Sequence, residues 1–319
     1  MMRFGVLGCA AIAWRATLPA IERSPAAELA AVASRDPDRA ARFADRFGCR
    51  TAPDYDTVLA DPGIDAVYIP LPTALHARWA IRALDAGKHV LVEKPLAVDA
   101  AEARQVVAAS HAAQRTVVEG FMFLHHAQHA AVRERVDAGL IGEPQVFDGT
   151  FGIPPLPPGD IRYRRDLGGG ALLDLGGYPI RAARLWLGDL AVAGAVLRRS
   201  PEYDVDIGGA ALLRTPDGRA ARVAFGLDQH YRCTYTLWGG EGTITLERAF
   251  TAPATLRPAL VLERQDHREI ITLDADDHFA NMIAHFVKAT ADPDETERQR
   301  AAILAQAELV TAVRRAGEE

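Results

Sequence analysis

His89-Val90-Leu91-Val92-Glu93-Lys94-Pro95 is the stretch that decides how this chain folds. Its first four residues form a run without polar alternation, which reads as a strand buried on both faces of a parallel sheet. Gly87, just upstream, reads as the stop of the preceding helix. Lys94 then stands at the carboxyl end of the strand, where open α/β sheets bind their ligands. Pro95 has no N–H and a restricted φ, so the chain must turn at once. An isolated E-K-P would read as a solvated strand end with a surface lysine. Here the flanking segments argue for a crevice.

Upstream and downstream of this stretch, strand and helix signals alternate through the first 120 residues. Apolar runs at Phe4–Leu7, Leu29–Ala33, Ala66–Ile69, His89–Val92 and Thr116–Val118 predict strands. Helical periodicity over Ile12–Glu22, Pro37–Phe47, Ala74–Ala86 and Ala100–Ala113 fills the gaps. Asp36-Pro37 is a helix start, an N-cap followed by proline at the first helical position. The pattern is that of a doubly wound parallel sheet, assigned to residues 1–120. Beyond it, a helix near Ala127–Ala138 gives way to alternating segments: Gln145–Gly152, Ala210–Arg214, Ala220–Phe225, Thr234–Trp238, Thr243–Leu246 and Glu269–Leu273. Strands in series, parted by turns such as Pro216-Asp217-Gly218 and Gly239-Gly240, predict a large, mostly antiparallel sheet with one exposed face in a second α/β domain, residues 121–319. A final helix near Glu295–Arg315 is expected to pack back onto the first domain.

Composition narrows the function. A length of 319 residues suits two domains. The net charge of -6 argues against a nucleic-acid partner. No apolar run is long enough to span a bilayer, and Met1-Met2-Arg3 leads straight into a strand, so neither membrane nor export is expected. Cys9, Cys49 and Cys233 make an odd count without metal-type spacing, which predicts reduced thiols in a cytoplasm. His125, His126 and His129 include an i,i+4 pair, but no H-E-x-x-H glutamate accompanies them, so no metal site is expected. Lysine is rare, with only Lys88, Lys94 and Lys288, so Lys94 stands where arginine would serve mere solubility.

At the first strand–helix junction lies Gly8-Cys9-Ala10-Ala11-Ile12-Ala13, a degenerate G-x-G-x-x-G. Small residues there let a pyrophosphate approach the helix N-terminus. Roughly twenty residues on, where an NAD-binding chain carries a carboxylate, stand Ser34 and Arg35. A hydroxyl and a guanidinium suit a 2′-phosphate, so the expected cofactor is NADP(H). Asp36, next to them, reads as the helix cap. Pro70, Leu71 and Pro72 form a stiff loop over the dinucleotide, and His76 is a candidate contact beside it.

A second motif, Gly168-Gly169-Gly170-Ala171-Leu172-Leu173-Asp174-Leu175-Gly176-Gly177-Tyr178, opens an apolar helix with Asp174 and Tyr178 on one face. Reducing a ketone requires a proton for its oxygen. A tyrosine hydroxyl supplies one when a cation stabilises the phenolate, and a lysine ammonium is such a cation. Lys94 and Tyr178 are thus the catalytic pair.

These motifs, together with Ile69-Pro70-Leu71-Pro72-Thr73-Ala74-Leu75-His76 and Ala86–Pro95, resemble the Gfo/Idh/MocA family of NAD(P)-dependent sugar oxidoreductases from end to end. The resemblance implies a Rossmann domain followed by an α/β domain whose open sheet forms homo-dimer or homo-tetramer interfaces. It also implies that Lys94 is the catalytic lysine and that Glu93 and Pro95 belong to the cofactor-side turn. Tyr178 replaces a histidine common in the family, and Arg181 stands where a further acid is usual. That departure is similar to the tyrosine-using branches. Among these, Ile12-Ala13-Trp14-Arg15 with Leu18-Pro19, and Trp238–Gly242 followed by Arg248-Ala249-Phe250-Thr251, resemble the 3-ketoreductases of deoxysugar biosynthesis. Such an enzyme would reduce the C3 ketone of a dTDP-linked 3,4-diketo-2,6-dideoxyhexose with NADPH, in antibiotic biosynthesis for example. Arg15, Arg162, Asp174, Tyr178 and Tyr235 are then the substrate-side candidates. A dihydrodiol or free-sugar dehydrogenase is the alternative within the family. A regulatory protein that only binds dinucleotide would not need Lys94, Asp174 and Tyr178.

Overall fold

A computed structural model of the chain describes residues 1–318 and divides it into two units: Met1–Phe121 with Phe279–Ala307, and Met122–His278 with the segment from Glu308. In the first unit, β1 (Met2–Leu7), β2 (Ala27–Ala33), β3 (Arg50–Ala52), β4 (Ala66–Ile69), β5 (His89–Val92) and β6 (Val117–Glu119) pair in parallel. Their order is β3-β2-β1-β4-β5-β6, so the winding reverses between β1 and β4. At such a switch point the carboxyl ends of the strands leave a crevice. β5 is buried throughout except at His89, which fits its unbroken apolar run.

Local chemistry sets the helix boundaries. Asp36 accepts a bond from the Arg39 amide (3.0 Å) and Pro37 follows it, so the Pro37–Phe47 helix starts as the sequence predicts. β3 and the Tyr55–Ala60 helix were not anticipated, because elements this short show no period. The single cut at residue 120 also needs correction at the far end, since residues 279–307 belong to the first unit. Arg300, only 5% exposed, donates to Ser110 Oγ (2.9 Å), to the Ser110 carbonyl (2.8 Å) and to the Arg115 carbonyl (3.3 Å). Thr116 and Thr296 share a buried hydroxyl bond, and Phe286 packs on Phe4 with ring centroids 5.5 Å apart.

The second unit is built on β7 (Pro144–Gly152), β8 (Ala191–Arg199), β9 (Asp206–Arg214), β10 (Ala220–Gly226), β11 (Arg232–Gly239), β12 (Thr243–Glu247), β13 (Ala259–Arg264) and β14 (His267–Thr272). They form one sheet ordered β14-β13-β12-β11-β7-β10-β9-β8, antiparallel everywhere except between β7 and β10. Phe147, Phe151, Phe225, Tyr235 and Leu237 line the buried face, which the Gly177–Leu187 helix covers. On the other face Val196, Leu212, Trp238 and Ile270 are exposed, 47–69% of each side chain reaching solvent. β8 and β13 escaped the sequence reading; β8 is an edge strand with no clean alternation of burial. Phe121-Met122-Phe123 reads as strand core, and its phenylalanines are indeed buried, but Met122–His125 winds as a 3-10 turn.

Candidate active site

Gly8 follows β1 with a φ of 111°, a conformation that only glycine adopts without strain. A Cβ there would lie 2.7 Å from Leu71 Cδ2, so a side chain would fill the cradle between this turn and the Pro70-Leu71-Pro72 loop. That room suits a pyrophosphate at a helix N-terminus. The helix begins at Ala11 and passes at once into a π-helical turn, Ala13–Thr17. Such turns concentrate at functional sites. Arg15, exposed on this turn, donates to the Ala11 carbonyl at 3.3 Å. Cys9 is buried, and burial pushes its thiol up to about 11 despite a hydrogen bond with Ser34, so it is an inert lining residue. Ala10 and Ile12 are half-buried and Ala11 is exposed. Ser34 accepts from the Asp36 amide (3.1 Å), and the Asp36 carboxylate is engaged by the helix it caps. Arg35 lies exposed beside them at the end of β2.

The turn after β5 is held from several sides. The Glu93 amide donates to the Ile69 carbonyl (3.1 Å), tying it to the neighbouring strand. Tyr68 donates its hydroxyl to Glu93 Oε1 at 2.6 Å and shares a 2.9 Å bond with Thr17 of the π-helical turn. Burial first, then the charge of Glu93, push the Tyr68 hydroxyl well above its usual pKa, so it remains a donor. Glu119, at the end of β6, accepts from the Leu96 amide (2.8 Å). Lys94 is half-buried in this frame, and its peptide bond to Pro95 is cis. His76, expected as a cofactor contact, is 1% exposed. Its Nδ1 lies 2.8 Å from the Pro95 carbonyl and its Nε2 lies 2.6 Å from the Leu71 carbonyl. Both ring nitrogens face main chain, so His76 is corrected from a ligand contact to a tie between loops.

In the second unit the triple glycine admits the protein's own groups. Gly170 has a φ of 116°, and a Cβ there would lie 2.5 Å from Asp206 Oδ1. Asp206 Oδ2 accepts from the Leu172 amide at 2.6 Å, placing a carboxylate at the start of the helix. Burial raises the Asp206 pKa, and the Leu172 bond opposes that shift. A second π-helical turn, Leu172–Gly176, carries Asp174 and leads into the Gly177–Leu187 helix with Tyr178. Tyr178 is 5% exposed, its ring edge-on to Phe151 (5.1 Å) and close to Phe123 and Phe250. Its hydroxyl lies 3.9 Å from Met122 Sδ.

The structure brings two substrate-side candidates together. Arg162 Nε donates to Asp174 Oδ2 at 2.6 Å, and its Nη1 lies 3.2 Å from Asp160. Burial opposes the Arg162 charge, but Asp174 and Asp160 outweigh it and raise its pKa. Arg162 is therefore not the uncommitted cation expected for a diphosphate; two carboxylates already match it. Tyr235 is corrected outright. It is fully buried, bonded to His129 Nδ1 (3.0 Å), and stacked with His129 and Phe147, so it reaches no ligand. Sequence reasoning missed Thr17, Tyr68, Glu119 and Asp206. Tyr68 carried a signal, since a hydroxyl inside an apolar strand must find a partner. Asp206 carried none. Among the described residues, no cluster of His, Cys, Asp and Glu has the arrangement of a metal site. No helix among them is long and apolar enough to cross a membrane.

Comparison with known proteins agrees with this geometry. A family model for the Gfo/Idh/MocA oxidoreductase family, NAD-binding Rossmann fold, matches residues 2–121, and one for the Gfo/Idh/MocA C-terminal domain matches residues 129–245. The chain is 49% identical over 314 residues to a dTDP-3,4-didehydro-2,6-dideoxy-alpha-D-glucose 3-reductase of Actinomadura kijaniata, covering 98% of this chain and 95% of the relative. It is 46% identical to the reductase of the same name from Streptomyces antibioticus, covering 98% and 96%. A crystal structure of a 3-ketoreductase from Actinomadura kijaniata, in complex with NADP and TDP-benzene, superposes with a TM-score of 0.96 at 48% identity, covering 99% of this chain and 97% of that one. Structures of that enzyme have also been solved with a lysine and with a tyrosine replaced, two positions as far apart in sequence as Lys94 and Tyr178.

Proposed function

The chain belongs to the Gfo/Idh/MocA oxidoreductase family, and from that premise we propose that it is an NADPH-dependent 3-ketoreductase of a dTDP-linked 3,4-diketo-2,6-dideoxyhexose. The observation that carries this reading is near-full-length similarity to reductases of that name, joined to the intact Lys94 turn and to Tyr178. Gly8, Cys9, Ala10, Ala11 and Ile12 would hold the pyrophosphate of the cofactor, and Pro70, Leu71 and Pro72 would cover it. Ser34 and Arg35 would hold its 2′-phosphate, while Glu93, Lys94 and Pro95 line its reactive end. NADPH supplies the hydride when bound.

The proton chemistry is the protein's own. Lys94 donates a hydrogen bond to the C3 carbonyl oxygen, orienting it and drawing charge onto it. The hydroxyl of Tyr178 holds the proton that this oxygen takes. Its aromatic surroundings keep water from competing for that proton. Arg15, exposed on the first π-helical turn, is the cation left for a nucleotide diphosphate, since Arg162 is matched by Asp174. Asp174 then acts on the sugar from beside the Arg162 guanidinium that holds it. The exposed sheet face bearing Val196, Leu212, Trp238 and Ile270 suits a homo-oligomer interface. Three free cysteines suit work in a reducing cytoplasm.

The test is NADPH oxidation, followed by nicotinamide absorbance, across dTDP-linked 3-keto sugars, free sugars and aromatic diketones. Turnover confined to the nucleotide-linked ketone supports the reading, and preference for a free sugar or diketone sinks it. Lys94→Ala should lower turnover on the order of a thousandfold or more while NADPH still binds.

A further inference from the structure

The sequence marks His76 as a residue beside the cofactor, yet the structure gives it no ligand face. Its ring instead bridges two loops that leave adjacent strands, β4 and β5. One carbonyl it reaches belongs to Leu71, whose side chain closes the cradle at Gly8. The other belongs to Pro95, the residue bonded to Lys94. We propose that His76 is a positioning residue: a buried strut that sets the Lys94 turn against the dinucleotide loop.

The physical argument rests on the shape of imidazole. The ring is rigid, with Nδ1 2.8 Å from one carbonyl and Nε2 2.6 Å from the other. The nitrogen that carries the N–H donates to its carbonyl, and the opposite edge of the ring packs against the second, so the imidazole sets the spacing between the two loops. An amide side chain can donate to a carbonyl but lacks the rigid ring that spaces the two loops. Neither carbonyl lies in a strand, where ladder bonds would hold it. The strut therefore acts where sheet pairing has ended, and errors of about 1 Å there cost on the order of a hundredfold in rate. Helix initiation does not explain the ring, because the side chain bonds to neither its own helix nor the 3-10 turn Thr73–Leu75 before it.

This inference rests on the assignment of Lys94 and the Leu71 loop made above, so its test has two independent arms. The first uses the unliganded protein. With only three lysines, acetylation by acetic anhydride can be followed at each by mass spectrometry. Lys88 is tied to the carbonyls of Asp61 and Ile64, and exposed Lys288 serves as the internal reference. In His76→Phe, which keeps the bulk and removes both nitrogens, the Lys94 rate relative to Lys288 should change several-fold. In His76→Gln the change should be smaller. Equal Lys94 rates in wild type and His76→Phe would overturn the proposal, whatever the substrate proves to be.

The second arm compares turnover. His76→Phe should lose on the order of tenfold to a hundredfold in kcat, with KM for NADPH moving much less and His76→Gln restoring part of the loss. If the folded His76→Phe protein only melts earlier and keeps its kcat, His76 is structural and the proposal fails. If Lys94→Ala itself retains turnover, the assignment of Lys94 fails instead, and the acetylation arm still decides what His76 does.

Discussion

Each unit starts a helix with a glycine turn followed by a π-helical turn, and the two helix starts solve opposite problems. At Gly8 the missing side chain leaves a cradle under Leu71 at the end of β1. At Gly170 the missing side chain makes room for Asp206, whose carboxylate bonds the Leu172 amide. One helix N-terminus is shaped for an anion that arrives, and the other has its anion built in. Charge follows the same division. Arg15 on the first π-helical turn lies exposed, whereas Asp174 on the second is held by Arg162. The same sequence signal, glycine before an apolar helix, thus leaves an open cradle in one unit and a self-satisfied scaffold in the other.

The sharpest way to break this comparison is at what the scaffold presents. Tyr178→Phe removes one hydroxyl whose neighbour is a thioether sulfur, so kcat should fall on the order of a hundredfold or more while the melting temperature stays put. A large stability loss would mean that the second turn presents no chemistry and is packing alone. Next come the glycines. Gly8→Ala should weaken NADPH binding on the order of tenfold or more, because the new methyl meets Leu71 and the turn resists its φ. Gly170→Ala should instead cost about 1–3 kcal/mol of stability, measured by urea unfolding, with NADPH affinity retained. If both alanines act on the same observable, the two turns are not different in kind.

Arg35→Ala sharpens the first half. Loss of a charge-assisted contact worth roughly 1.5–3 kcal/mol should weaken NADPH by about tenfold to a hundredfold and leave NADH nearly unchanged. Equal losses would remove the 2′-phosphate from this position. Acid is the least discriminating probe. Burial lowers His89 and His278 from 6.5 to about 4 and His129 to about 3. A histidine with a depressed folded pKa stabilises the fold above its ordinary pKa and loses that contribution as pH falls toward the folded value. The urea midpoint should therefore drop between about pH 6.5 and 4, with similar slopes in wild type and both glycine variants. A slope that differs between the glycine variants would tie one turn to a titrating group.

The first unit was the more legible in sequence, for a physical reason. Parallel strands buried on both faces write unbroken apolar runs, and their connecting helices carry caps such as Asp36, so β1, β2, β4 and β5 could be read directly. β3 and the Tyr55–Ala60 helix were too short to write a period. In the second unit β7, β10, β11 and β12 alternate visibly, while the edge strand β8 is largely exposed on both faces and gives no such pattern. Within the candidate site, Lys94 and Tyr178 drew attention in the sequence because the chemistry proposed for them is local to a motif. The partners of His76, Arg162 and Tyr235 were not legible because each is found through tertiary structure: His76 at Pro95, Arg162 at Asp174, Tyr235 at His129. Residue type names a capability, and only the fold says what has already claimed it.

Arg300 has a consequence for the order of events during synthesis. Its guanidinium caps carbonyls at the end of the Ala100–Ala113 helix from a position nearly two hundred residues later in the chain. A ribosome releases every strand of the first unit, and then the whole second sheet, before that guanidinium emerges. The amino-terminal unit is thus begun first but completed only after the second sheet has emerged, with Phe4 left to wait for Phe286. Until residues 279–307 arrive, the nascent first unit carries an unfinished apolar surface, and the second unit waits in turn for the segment from Glu308.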